Sequence, residues 1–252
     1  MEHKSHVVVA RHNEHLGWLF DILRNHKEFS ATVYNDGMDV LVPRDIESHI
    51  SFVLGDKIPS EPTKYIKWII SNWDRLDSYD KIVFLQGDPV YHNPTLVECF
   101  KYADQWNRNF QTLSLIAHPH PWPAARLILE GNIPHITYFA ENAKVWHDEM
   151  KDDMHGVHFD DPFWHSFSKS APGVTINYFS TLFGFKKPDV MKKCIAACFS
   201  TSTKTIQQVP YEAWQRLHDF VVSGCPKTSH LTSKSRAVFL EYLWSVIFEG
   251  TW

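Results

Sequence analysis

The segment Lys81-Ile82-Val83-Phe84-Leu85, closed by Gln86-Gly87-Asp88-Pro89, decides how the chain is read. Its apolar run is short, rich in bulky side chains and cut off by a Gly-Asp-Pro turn. That combination marks a strand buried on both faces rather than a helix. Upstream, the stretch 63–76 (TKYIKWIISNWDRL) sets Tyr65, Ile66, Ile69, Ile70 and Trp73 on one helical stripe. Ser30-Ala31-Thr32-Val33-Tyr34 is a second strand, stopped by Asn35-Asp36-Gly37, and residues 16–23 form a short helix. His6-Val7-Val8-Val9-Ala10, ending in Arg11-His12-Asn13-Glu14, is a third buried strand. Residues 40–62 are mixed and loop-rich. The first 90 residues therefore read β-α-β-α-β, the order that builds a parallel sheet through right-handed crossovers.

Downstream the pattern loosens. A helix is expected over 94–106, with Pro94 in its first turn, and a strand over 112–117. His118-Pro119-His120-Pro121-Trp122-Pro123 excludes regular structure, and 130–185 mixes aromatics, His, Asp, Pro and Gly without period, as binding loops do. Cys194-Ile195-Ala196-Ala197-Cys198-Phe199-Ser200 reads as a further strand. Helices follow over 211–222, capped near Gly224, and over 233–248, where Val238, Phe239, Tyr242, Leu243, Val246 and Ile247 line the apolar side. The expectation is a single α/β domain, with a mostly parallel central sheet flanked by helices and long irregular loops.

Composition agrees. The chain has 252 residues, 44% hydrophobic and 21% charged, enough to bury a large core and too apolar for a disordered chain. A net charge of −4 with no basic run argues against a general nucleic-acid binder, and no apolar run is long enough to span a membrane. The four apolar residues before Arg11 are too few for a signal peptide. Four cysteines (Cys99, Cys194, Cys198, Cys225) do not form a disulfide framework and read as buried thiols in a reducing, intracellular setting. Ten Trp and sixteen His are a marked excess. The Trp rings suit either an aromatic core or stacking on sugars and bases, with Trp122, Trp146, Phe163 and Trp164 the loop candidates. His118 and His120 lack the partners and spacing of a catalytic zinc site.

In open α/β sheets ligands bind beyond the carboxyl ends of the strands. Three strand ends carry polar groups there: Arg11-His12-Asn13-Glu14, Tyr34-Asn35-Asp36 and Gln86-Gly87-Asp88. There is no GxGxxG, no GxxxxGK[ST] and no GxSxG, which removes dinucleotide-binding, P-loop and α/β-hydrolase chemistry. Glu241 stands in a helix among Phe239, Leu240, Tyr242, Leu243 and Trp244, so its carboxylate points either to solvent or into a cavity. In a cavity it would be a base with a raised pKa.

The islands VVVARHNE (7–14), VYNDG (33–37), FLQGDP (84–89) and LEYLWSVIF (240–248) resemble an uncharacterised domain family of fungi, bacteria and large DNA viruses. Its pattern is R-x-N-E, Y-N-x-G, F-L-Q-G-x-P and E-x-x-W-x-x-I-F, and it is similar to GT-A type glycosyltransferases. The resemblance implies a single GT-A-like (Rossmann-like) domain, 1–117 being the nucleotide-binding half and 118–252 the acceptor-binding and C-terminal half. It implies a glycosyltransferase, acting by inversion on a nucleoside-diphosphate sugar, with a UDP-sugar favoured and a pentose or deoxyhexose plausible. The acceptor would be a glycan or glycoconjugate. The alternative is a catalytically silent carbohydrate-binding or glycan-assembly protein; a histidine-dependent hydrolase is a third option. The setting would be cytoplasmic, that of an infected host cell for viral members.

On that resemblance, Ala10, Arg11, Asn13, Glu14, Tyr34, Asn35, Gln86, Gly87, Asp88 and Arg236 would bind the nucleotide sugar. Arg11 would neutralise phosphate and Tyr34 would stack on the base. The local alternatives are Asn13 as a helix cap and 34–36 as a plain turn. Glu241 is the first candidate base and Asp161, with its neighbour Asp160, the second. Asp88 and His92 would hold Mn²⁺ or Mg²⁺, although Gln86 stands where a second carboxylate is expected, and Asp88 is equally suited to capping the next turn. The family's Gly-Arg-Glu is replaced by Pro59-Ser60-Glu61, which removes a basic partner for phosphate from that loop.

Overall fold

The computed structural model describes residues 4–55, 58, 60–114, 116–117, 120–121, 176–186, 197–226, 228–229, 231–250 and 252. Within them a six-stranded sheet runs in the order β3-β2-β1-β4-β8-β5. β1 (Ser5–Arg11), β2 (Phe29–Asn35), β3 (Ile50–Leu54) and β4 (Lys81–Gln86) are parallel. β8 (Phe199–Ser202) enters antiparallel beside β4, and β5 (Gln111–Thr112) pairs antiparallel with β8. The α/β, mostly parallel expectation holds.

Strand alternation divides the core in two, because successive side chains leave opposite faces. Val7 and Val9 of β1, Val33 of β2 and Val83 and Leu85 of β4 pack under α1 (Gly17–Asn25) and the short α3 (Leu96–Cys99). Val8, Tyr34, Ile82, Phe84 and Phe199 face the other way. They are covered by α2 (Glu61–Ser71), α4 (Ile176–Phe183), α5 (Thr203–Gln208), α6 (Tyr211–Ser223) and α7 (Ser233–Glu249). Trp68, Trp214 and Trp244 are fully buried here, so the tryptophan excess is, among the described residues, largely a core feature. Trp122, Trp146, Phe163 and Trp164 lie outside the described residues, as do Asp160 and Asp161.

Several expectations are corrected. The loop-rich stretch 40–62 contains β3, whose side chains are mostly exposed and so lack the apolar-polar alternation that reveals a strand. The helix expected to continue to residue 76 stops at Ser71, and a 3₁₀ segment, Trp73–Ser78, leads to β4. The helix expected over 94–106 is a single α-turn followed by 3₁₀ turns, Phe100–Gln105. The strand expected over 194–200 is registered later, at Phe199–Ser202. The expected strand at 112–117 is split between β5 and β6 (Ile116–Ala117), and β6 pairs with β7 (His120–Pro121). Thus even the His-Pro repeat joins a two-residue ladder, where Pro121 can still offer its carbonyl. Cys99, Cys198 and Cys225 are buried free thiols, as read. No described helix is long and apolar enough to cross a membrane.

α7 is fixed to the sheet by Trp244, whose ring lies 5.2 Å from Phe199, 6.1 Å from Tyr65 and 5.9 Å from Phe248, centre to centre. The Tyr65 hydroxyl in turn donates to the Ala197 carbonyl at 3.1 Å, just ahead of β8. Trp244→Ala should cost about 3–5 kcal/mol, from lost burial plus a cavity. Chemical denaturation should read this as a lower midpoint, with Trp244→Phe in between.

Candidate functional site

β1 is followed in sequence by β2 on one side and has β4 on its other, so the strand order reverses there. The crevice beyond the carboxyl ends of β1 and β4 is where such sheets bind ligands. A cleft of about 360 Å³ opens near it, lined by Ala10, Arg11, His12 and Glu14 after β1 and by Asp36 after β2. Ser60, Glu61 and Lys64 at the start of α2, and Lys234, Ala237 and Glu241 of α7, complete the wall. Positions 234, 237 and 241 follow the helical i, i+3, i+7 spacing, which explains why these three share a face.

Three buried polar connections shape this cleft. Arg11, 7% exposed, donates from Nε to the Glu14 carbonyl (2.7 Å) and from Nη1 to the Met38 carbonyl (2.9 Å) and to Asn35 Oδ1. It thereby ties the turn after β1 to the turn after β2. Asn35 also donates to the Met38 carbonyl, and Asn13 Oδ1 accepts the Met38 N–H at 3.0 Å. Second, Lys64, with 2% of its side chain exposed, pairs with Asp36 at 3.0 Å and donates to the Ile58 carbonyl at 2.8 Å. The Asp36 carboxylate can lie there because Gly55 has no side chain; a Cβ on Gly55 would stand 1.6 Å from Asp36 Oδ1.

The third connection joins two sequence islands. The Glu14 carboxylate accepts the His12 N–H at 2.6 Å and rests against Gly87, where a Cβ would meet Oε2 at 2.3 Å. The Gly87 carbonyl accepts from Trp18 Nε1 at 3.1 Å. The glycine of FLQGDP is thus the seat for the glutamate of RHNE.

Glu61 is the perturbed acid of the cleft. Burial pushes its pKa up from the ordinary 4.5, and the nearby Glu14 charge adds to the rise. Its own backbone N–H and the charges of Lys234 and Lys64 oppose it. Burial also drives the Cys198 thiol up to about 12, with Glu61 and Glu241 adding to the rise, so this cysteine is a packing residue and no nucleophile.

The expected residues therefore divide. Ala10, Arg11, Glu14 and Glu241 line one cleft, and Glu241 resolves to the cavity-facing alternative. Asn13 and Asn35 hold the turns, and Asn13 does not cap α1, whose N-cap is Leu16 without a side-chain bond. Tyr34 is 3% exposed in the core under α2 and α7, so its ring has no open face for a base. Arg236 is 5% exposed, donates to the Val221 and Val222 carbonyls at the end of α6 and to the Leu231 carbonyl before α7, and does not line the cleft. Its guanidinium satisfies helix-end carbonyls instead. Asp161 lies outside the described residues.

Gln86 donates to the Asp88 carbonyl at 3.3 Å, and Asp88 is exposed outside the cleft lining, at the N-cap of the 3₁₀ turn Pro89–Tyr91 without a side-chain bond. Among the described residues no group of three or more His, Cys, Asp or Glu is arranged to hold a metal ion. One exposed carboxylate with His92 does not fit Mg²⁺ or Mn²⁺, which take several oxygen ligands. Glu61, Lys64 and Lys234 were not among the residues assigned to the site from sequence; Asp36 enters there as a polar group at the end of the second strand. Only the helical spacing of 234 with 241 could have flagged one of them.

Residues 138–251 match a family model described as "Protein of unknown function (DUF3431)". That span takes in Lys234, Glu241 and Trp244 but none of the parallel strands. No curated protein and no solved structure matches the chain.

Two outcomes follow. Because Glu61 binds its proton more tightly folded than unfolded, it lowers stability as pH rises from its ordinary 4.5 through the raised folded value. Glu61→Gln should remove that decline, so unfolding curves between pH 4 and 8 should diverge in favour of the variant as pH rises (a span of roughly this width covers a shifted carboxylate). Lys64→Met alone should cost about 3–5 kcal/mol by taking the buried cation away from Asp36, and pairing it with Asp36→Leu should restore most of the loss in denaturant titrations.

Proposed function

We propose that the protein is a glycosyltransferase that moves a sugar from a nucleoside-diphosphate sugar to a hydroxyl of a glycan or glycoconjugate. The observation that carries this reading is the meeting of the islands behind the GT-A resemblance. Glu14 of RHNE, seated on Gly87 of FLQGDP, shares a cleft with Glu241 of LEYLWSVIF. The parallel β3-β2-β1-β4 half-sheet, with an antiparallel strand beside β4, supports a GT-A-like assignment. A UDP-sugar is the favoured donor.

In this reading Glu241 accepts the proton of the acceptor hydroxyl as its oxygen attacks the anomeric carbon. The new C–O bond forms as the bond to the diphosphate oxygen breaks, with inversion. Glu61, whose carboxyl is shifted by burial toward its protonated form, lines the same cleft beside the reacting groups. The Arg11 and Lys64 connections keep the walls in place, so little reorganisation is left for the moment of reaction. No step is routed through Mn²⁺ or Mg²⁺, because the residues at Asp88 and His92 do not fit either ion. That misfit favours the second reading, a catalytically silent carbohydrate-binding protein.

Thermal-shift titration with UDP, GDP and CMP separates the two. A transferase should be stabilised by one of these nucleotides, in proportion to the logarithm of its concentration, whereas a binding module should respond only to oligosaccharide. With a turned-over donor in hand, Glu241→Gln should keep the nucleotide shift and lose roughly 10²–10⁴-fold in kcat, the usual worth of a general base. Unimpaired turnover would remove Glu241 from the role.

A further inference from the structure

Resting on the transferase reading, we infer that Lys234 anchors the donor's diphosphate and that this anchoring replaces a divalent cation. Four carboxylates and three Lys or Arg side chains line the cleft (Glu14, Asp36, Glu61 and Glu241 against Arg11, Lys64 and Lys234). Their availability differs sharply. Lys64 is buried and bound to Asp36 and to the Ile58 carbonyl. Arg11 is buried, and its Nε and Nη1 hold two turns. Lys234 is exposed; its charge acts on Glu61 across the cleft, and among the described residues it makes no hydrogen bond or close ion pair, so its ammonium is the solvent-accessible cation of the cleft.

Its position suits the task. Lys234 stands in the first turn of α7, two helical turns before Glu241 on the same face. A diphosphate held there leaves the sugar to extend along the helix toward the carboxylate. The need for such a cation is equally plain. A leaving nucleoside diphosphate gains negative charge as the glycosidic bond breaks, and the cleft is otherwise rich in carboxylates. Among the described residues the Asp88 and His92 set supplies too few oxygen ligands for a divalent ion, and Lys64 is already held by Asp36. An ammonium reaching over from α7 restores the missing charge.

The test is nucleotide binding by the full chain, measured by calorimetry with the UDP or GDP that gives the thermal shift, in Mn²⁺ and in EDTA. The expected result is a Kd unchanged by EDTA and raised roughly ten- to a hundredfold by Lys234→Ala, the worth of one charge-assisted contact. Lys234→Arg should recover most of that affinity. Because Lys234 is exposed, the unliganded Tm of both variants should match the parent, which separates lost binding from lost folding. Binding that requires Mn²⁺, or a Lys234→Ala Kd equal to the parent's, would overturn the inference and leave the transferase reading standing. Failure of both nucleoside diphosphates to bind the parent chain would overturn both.

Discussion

The cleft depends on one buried guanidinium. Arg11 ends β1, the strand that pairs with both β2 and β4, and its charge is met by two backbone carbonyls and the Asn35 side chain. Removing such a group takes a charged donor from the Glu14 carbonyl and from Asn35 Oδ1, at a cost of about 1–3 kcal/mol. What the guanidinium fixes is the relation between two turns that have no regular structure of their own. Everything the cleft displays from β1 and β2 (Ala10, His12, Glu14 and Asp36) hangs from those turns.

A second layer of order comes from close approach. Gly55 and Gly87 each let a carboxylate lie where a side chain would otherwise stand. The acids are thereby drawn back against the backbone, while Glu61 has its proton affinity raised chiefly by burial and to a lesser degree by the Glu14 charge. Strand ends, helix start and the distant α7 face thus share one cleft in which carboxylates outnumber the Lys and Arg side chains.

The sheet was legible because its inner strands, 6–10, 30–34 and 81–85, are short runs rich in apolar and β-branched residues, each cut off by a polar turn. β3 was not, since at the sheet's margin Phe52, Val53 and Leu54 are exposed and the run carries no alternation. Glu14 and Glu241 could be picked out from motif and context, Glu241 because a carboxylate in an apolar helix demands an explanation. Arg11, Arg236 and Tyr34 show the limit of that reasoning. A cation or ring near a strand end looks the same in sequence whether it greets a ligand or satisfies carbonyls and fills the core. Lys64 illustrates the converse, for nothing in TKYIKWI distinguishes a buried, paired lysine from a solvated one. Only the fold brings Asp36 to meet it.

The margin formed by β3 has a consequence of its own. Ile50-Ser51-Phe52-Val53-Leu54 contains none of the lysines or prolines that natural sheets place on their borders, and no described strand pairs with its outer side. Among the described residues the outer amide and carbonyl row of β3 has no strand partner, the arrangement onto which a stray extended peptide can zip. A single lysine at the exposed position 53 would blunt this rim without touching the interior.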